Sequence, residues 1–144
     1  MEASVEWKNG MAFNANLNGF DFMIDGDEKF GGQGLGPRPK GLTLVSLAGC
    51  TAMDVISILR KMKVEGGIDS FKIATDGQLA EEHPKKITEI VVDYIFQGEK
   101  LQASIDKIKK AIQLSVENYC GVYATLQPTV KISHRLFVNH KEIT

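Results

Sequence analysis

From Val5 to Ile24 apolar residues recur at every second position through Met11, Phe13, Ala15 and Leu17, and Asn9-Gly10 and Asn18-Gly19 interrupt the run. A period of two lines one face of a strand, and Asn-Gly between such runs supplies the backbone angles of a tight hairpin. The segment predicts a meander of three strands. Gly26 to Pro39 then brings five glycines and two prolines, which end the strand pattern in a surface loop. From Leu42 to Met62 the spacing changes: Leu44, Val45, Leu47, Ala48, Ala52, Met53, Val55, Ile56, Ile58 and Leu59 reach nearly every side of a helix. A helix that is apolar all round is a buried one, so a long central core helix is expected here. Pro39 suits its first turn, Arg60, Lys61 and Lys63 suit its negative end, and Gly66-Gly67 is expected to stop it.

Phe71 to Leu79 and Ile87 to Phe96 read as two strands, the second alternating Ile90, Val92, Tyr94 and Phe96 against Val91, Asp93 and Ile95. The polar turn Glu81-Glu82-His83-Pro84 joins them as a hairpin. Leu101, Ile105, Ile108, Ile112, Val116 and Tyr119 recur at spacings of three or four, with Lys107, Lys109 and Lys110 outside, and predict a second, amphipathic helix that Gly121 breaks. Val130, Ile132, Leu136 and Val138 belong to a last strand or two. Runs of strands between isolated helices indicate an α+β fold with a mixed or antiparallel sheet.

At 144 residues the chain has room for a single domain, residues 1–144, with a core large enough to need no disulfide or structural metal. The net charge of -1 and the three arginines, Arg38, Arg60 and Arg135, exclude the basic footprint of a nucleic-acid-binding protein. No uncharged stretch is longer than Gly41 to Met53, which falls short of the roughly 20 residues a membrane span takes. No basic start followed by an apolar block opens the chain, so a cytoplasmic protein without membrane attachment is expected.

The Gly26–Pro39 loop lacks GxxxxGK[ST] and its strand-turn-helix setting, which argues against a phosphate loop. Cys50 and Cys120 are the two cysteines. Cys50 lies about three turns into the first helix, too deep for the helix dipole to stabilise a thiolate, and Asp54 at i+4 opposes one by like charge. An activating cation must come from elsewhere; Arg38 at the mouth of the helix and Lys8 on the first strand are candidates. Cys120 falls near the apolar face of the second helix and meets Cys50 if the helices pack together. Two thiols so placed can cycle between dithiol and disulfide, or can be inert core residues. A zinc set with a histidine is weak, because His83, His134 and His140 lack the usual ligand spacings.

Gly36-Pro37-Arg38-Pro39, the run LAGCTAMDV ending in Asp54-Val55, Glu82-His83-Pro84, Ile112-Gln113-Leu114-Ser115 and Glu117-Asn118-Tyr119-Cys120 together resemble the OsmC/Ohr family, the osmotically inducible and organic-hydroperoxide-resistance proteins. The resemblance covers essentially the whole chain and is nearest the branch carrying the EHP turn. It implies an intertwined homodimer with two interfacial active sites and its central helices back to back. It implies a thiol peroxidase for organic hydroperoxides in which Cys50 is the nucleophile and Cys120 the resolving thiol. No bound cofactor or metal is implied; a dithiol such as a protein-bound lipoyl group serves as reductant. Two positions depart from the pattern. Lys40 and Gly41 stand where the family has a glutamate that orients an activating arginine, and no arginine precedes Arg38. Arg38 is therefore the substitute by chemistry and proximity, and Lys40 is a second positive charge beside it.

Other thiol exchange, such as disulfide or persulfide reduction, is the alternative within redox chemistry. The alternative outside it is a dimer that binds a small apolar molecule while its cysteines stay inert. Glu81, Glu82 and His83 read first as a solvated turn, and Met53 and Tyr119 read first as core residues that are also able to line an apolar pocket.

Overall fold

The two Asn-Gly pairs turn the chain as their backbone preferences require. In the computed structural model, which describes residues 1–144, Gly10 (φ 51°), Asn18 (φ 51°) and Gly19 (φ 88°) take left-handed angles. They join β1 (Ala3–Asn9), β2 (Ala12–Leu17) and β3 (Phe20–Ile24) into an antiparallel sheet of order β1-β2-β3. The buried residues of β2 are Ala12 and Ala15, whereas Met11 and Leu17 stand exposed. An irregularity between Trp7 and Asn9 shifts the register at Ala12, which strict alternation does not anticipate.

This sheet belongs to the first of two compact units, Met1–Thr43 and Leu44–Thr144. The glycine-rich loop of the first unit is built around Asp25, only 2% exposed, whose carboxylate accepts backbone N–H bonds from Gly26 (2.7 Å), Gln33 (2.9 Å) and Leu35 (3.2 Å). A Cβ on Gly32 or Gly36 would run into the carbonyls of Gly26 and Met23 respectively. The glycines thus serve close backbone approach, as expected of a loop that is not a phosphate cradle.

Pro39 is the first residue of α1 (Pro39–Lys61). The helix buries one stripe, Leu47, Thr51, Val55 and Leu59, each four residues from the last, while Val45 (66%) and Met53 (75%) stand exposed. The expectation of burial all round therefore fails for the single chain, and an apolar side of α1 is left bare. By length and composition α1 is also long and apolar enough to cross a membrane, which the count of uncharged residues missed; core helices of water-soluble proteins share that property. The helix ends before Gly66-Gly67. Lys63, at φ 58°, donates its N–H to the Arg60 carbonyl and Val64 donates to that of Leu59, the paired bonds of a Schellman cap.

In the second unit, β4 (Ser70–Leu79), β5 (Ile87–Gln97), β6 (Lys131–Val138) and β7 (Lys141–Ile143) form a sheet in chain order. The β5–β6 pair is parallel and the other two are antiparallel, so the sheet is mixed. Ile90, Val92, Tyr94 and Phe96 of β5 are buried, as their alternation predicts, and they meet the α1 stripe in one core. The predicted second helix is broken into a 3-10 turn (Glu99–Ser104), α2 (Ile105–Leu114) and a π-helical turn (Ser115–Tyr119). The break comes at Cys120, whose φ of -72° and ψ of 97° are extended, and Gly121 opens α3 (Gly121–Leu126) rather than ending a helix.

Candidate active site

Helix periodicity brings Cys50 and Asp54, one turn apart on α1, to the same face. The π-helical turn delivers Cys120 to that face. Its closing bond, Cys120 N–H to the Ser115 carbonyl at 2.8 Å, spans one residue more than an α-helical bond and shifts everything beyond it around the axis. The Sγ atoms of Cys50 and Cys120 and a carboxylate oxygen of Asp54 all lie within 4.8 Å of one another. Both cysteines are free thiols; Cys120 is buried and Cys50 half-buried. No histidine joins the group.

Three buried hydroxyls stand behind this cluster. Ser115 Oγ donates to Asp54 Oδ2 at 2.9 Å, Thr51 Oγ1 lies 2.9 Å from Ser115 Oγ, and Tyr94 OH lies 2.8 Å from Thr51 Oγ1. A hydroxyl has one proton to give. Since Ser115 spends its own on Asp54, Thr51 donates to Ser115 and Tyr94 donates to Thr51. The chain runs in one direction from β5, through α1 and the π-helical turn, to the carboxylate beside the thiols. Burial pushes the Tyr94 phenol up to about 12, which keeps that donor protonated at neutral pH.

The two thiols are not equivalent. Burial first, and then its hydrogen bond to Cys50, push Cys120 up to about 11; the charges of Cys50 and Asp54 act in the same direction. The Tyr123 N–H, which donates to Cys120 Sγ at 3.3 Å, works against them and is outweighed. Cys120 therefore holds its proton and offers it to Cys50. The Asp54 charge opposes a thiolate at Cys120.

Arg38 lies in the first unit, where its guanidinium is paired with Asp27 Oδ2 at 2.9 Å. Lys8 pairs with Glu6 at 3.0 Å. His83 is exposed in the β4–β5 turn, next to a cis bond to Pro84, and the ring of His134 meets that of Tyr94 edge-on at 6.3 Å. Tyr119 is exposed and joins Asp54, Ser57, Ile58, Lys61, Met62 and Leu114 around a groove of about 350 Å³. Thr51, Ser115 and Tyr94 were not among the candidate site residues the sequence singled out. Their signal was a hydroxyl at a core-facing position of three separate apolar patterns.

Comparison with known proteins agrees with this architecture. The family model of the OsmC-like proteins matches residues 31–135. Protein YhfA of Escherichia coli K12 is 30% identical over 135 residues, which are 93% of this chain and 95% of that protein. A hypothetical protein from Aquifex aeolicus VF5 superposes with a TM-score of 0.80 at 26% identity, over 96% of this chain and 95% of the other. An organic hydroperoxide resistance protein from Legionella pneumophila shares the fold, with a TM-score of 0.67 at 13% identity over 95% and 96% of the two chains.

Proposed function

Because this chain belongs to the OsmC-like family, a family that includes organic hydroperoxide resistance proteins, we propose that it is a thiol peroxidase whose nucleophile is Cys50 and whose resolving thiol is Cys120. The observation that carries this reading is the thiol pair itself: two free sulfurs within 4.8 Å, Cys50 half-buried and Cys120 buried.

Cys50 thiolate attacks the terminal oxygen of an organic hydroperoxide, the O–O bond breaks, and the alkoxide takes a proton to leave as the alcohol. Cys50 is then a sulfenic acid. Cys120 sulfur attacks it, the Cys120 proton goes to the departing hydroxide, and water leaves as the disulfide forms. An S–S bond of about 2.05 Å requires the sulfurs to close by less than 3 Å. The extended backbone at Cys120, outside any helix, supports that movement better than a mid-helix position would. A dithiol of the lipoyl type then returns both sulfurs to the reduced state.

The groove beside Asp54, lined by Ile58, Met62, Leu114 and Tyr119, suits the alkyl part of a hydroperoxide. It suits equally the non-enzymatic reading, an apolar ligand held beside inert thiols. Arg38 is the activating cation of this proposal on chemistry alone, and its pairing with Asp27 supplies the carboxylate clamp that Lys40 and Gly41 do not. The bare Val45 and Met53 of α1 favour a second copy of the chain as partner.

The test is peroxide consumption with cumene hydroperoxide and a small dithiol. Wild type should turn over, Cys50→Ser should consume none, and Cys120→Ser should form a trappable sulfenic acid in one turnover. Equal loss in both variants, with no sulfenic acid, contradicts the division of roles.

A further inference from the structure

We propose that Cys50, Asp54 and Cys120 together form a binding site for a single zinc-like divalent ion. Cys50 and Asp54 are spaced i, i+4 on one helix face, the arrangement by which a helix presents two ligands to one ion. Cys120 closes the set from the π-helical turn, and all three ligand atoms lie within 4.8 Å of one another. Around tetrahedral zinc, with Zn–S near 2.3 Å and Zn–O near 2.0–2.2 Å, such atoms stand about 3.4–3.8 Å apart. The set needs to contract by no more than about 1.4 Å to reach that geometry, a side-chain adjustment.

Two sulfurs and one carboxylate select a borderline-soft ion over magnesium or calcium, which take oxygen ligands. Binding displaces both thiol protons to solvent, so two thiolates and a carboxylate face a charge of +2, and no electron is transferred. The surroundings resemble the outer shell of a metal site. Ser115 Oγ–H fixes Asp54 Oδ2, Thr51 and Tyr94 fix Ser115, and the Tyr123 N–H points at Cys120 Sγ. Asp54 also borders the open groove, which gives an ion a way in and leaves room for water as fourth ligand. Peroxide chemistry plays no part in this inference, which needs only that both thiols be reduced.

Cobalt(II) and zinc tested on the reduced full-length protein decide it. One Co²⁺ per chain should bind with a thiolate charge-transfer band and the intense visible bands of a four-coordinate ion, and Zn²⁺ should displace it. Asp54→Asn, which keeps both thiols, should weaken binding by about tenfold or more, and Cys120→Ser should remove most of the charge-transfer band. Replacing His83, His134 and His140 with alanine should change nothing. If a variant fails to fold, the wild type suffices: one equivalent of Zn²⁺ should protect both cysteines from iodoacetamide. Alkylation at the same rate with and without zinc, or a Co²⁺ spectrum lacking thiolate charge transfer, overturns the inference. Loss of peroxide turnover with zinc binding retained would remove the proposed peroxidase function alone.

Discussion

Ser115 Oγ lies 2.9 Å from Asp54 Oδ2 and donates to it, and through that bond the carboxylate beside the two thiols is tied to the buried phenol of Tyr94. Each link joins a different element: β5 holds Tyr94, α1 holds Thr51 and Asp54, and the π-helical turn holds Ser115. The same turn positions Cys120. Packing of the core and geometry of the thiol pair are therefore one problem.

Thr51 is the middle of this chain, at 1% exposure. Replacing it with valine keeps the shape but strands the Tyr94 hydroxyl and removes the donor to Ser115. Thr51→Val should cost about 1–3 kcal/mol in urea unfolding, and Thr51→Ser, which restores the hydroxyl, should recover most of it. A valine variant as stable as wild type would mean the hydroxyls are not coupled.

Cys120 titrates near 11 against an ordinary value of 9.0. Its folded value is raised, so its protonated form belongs to the native state; the unfolded chain loses the proton first as pH climbs past 9. The associated stability is complete below pH 9 and disappears as pH rises through about 11. Thermal unfolding of the reduced, metal-free protein should show its midpoint falling across that window. Cys120→Ala should fall less steeply, and Tyr94, raised by burial, contributes to the decline that remains above pH 10.

The thiolate absorbance of the reduced protein should likewise contain one component near pH 11. In Cys50→Ala that component should move down, because the hydrogen bond and charge of Cys50 both act to raise it. Burial continues to hold it above the free thiol value. An unchanged midpoint in the variant would show that the two sulfurs do not sense each other.

Asp25 offers a separate check in the first unit. Its bonds from the Gln33, Leu35 and Gly26 N–H groups, with Gln33 foremost, hold its carboxyl below the ordinary 3.8. A lowered folded value means stabilisation present above about pH 4 and lost as pH falls below it. Asp25→Ala should accelerate amide exchange at Gly26, Gln33 and Leu35, while exchange in β5 is unaffected.

Much of this was legible in the sequence. The Asn-Gly turns, the β5 alternation and the helical run after Pro39 declared their elements because each rests on local backbone preference or a sustained period. The two cysteines were marked as a possible pair, and Asp54 as a like charge four residues from Cys50. The π-helical turn was not legible, since the apolar spacing from Ile105 to Tyr119 fits an unbroken α-helix equally well. The one-sided burial of α1 escaped for a different reason: composition records how apolar a helix is, not which of its sides the rest of the chain covers, and this chain buries only the stripe from Leu47 to Leu59. The hydroxyls of Thr51, Ser115 and Tyr94 were hidden because each is ordinary in its own segment. Their meaning lies in three elements meeting.

The central claim is that Cys50 and Cys120 form a peroxide-driven disulfide. Its most direct test is the intact mass of the reduced protein before and after one equivalent of cumene hydroperoxide, with the remaining thiols alkylated. The account predicts a loss of two hydrogens and of both alkylation sites, with Cys50 and Cys120 joined in one peptide pair. Two thiols that survive the peroxide and accept the alkylating agent would contradict it.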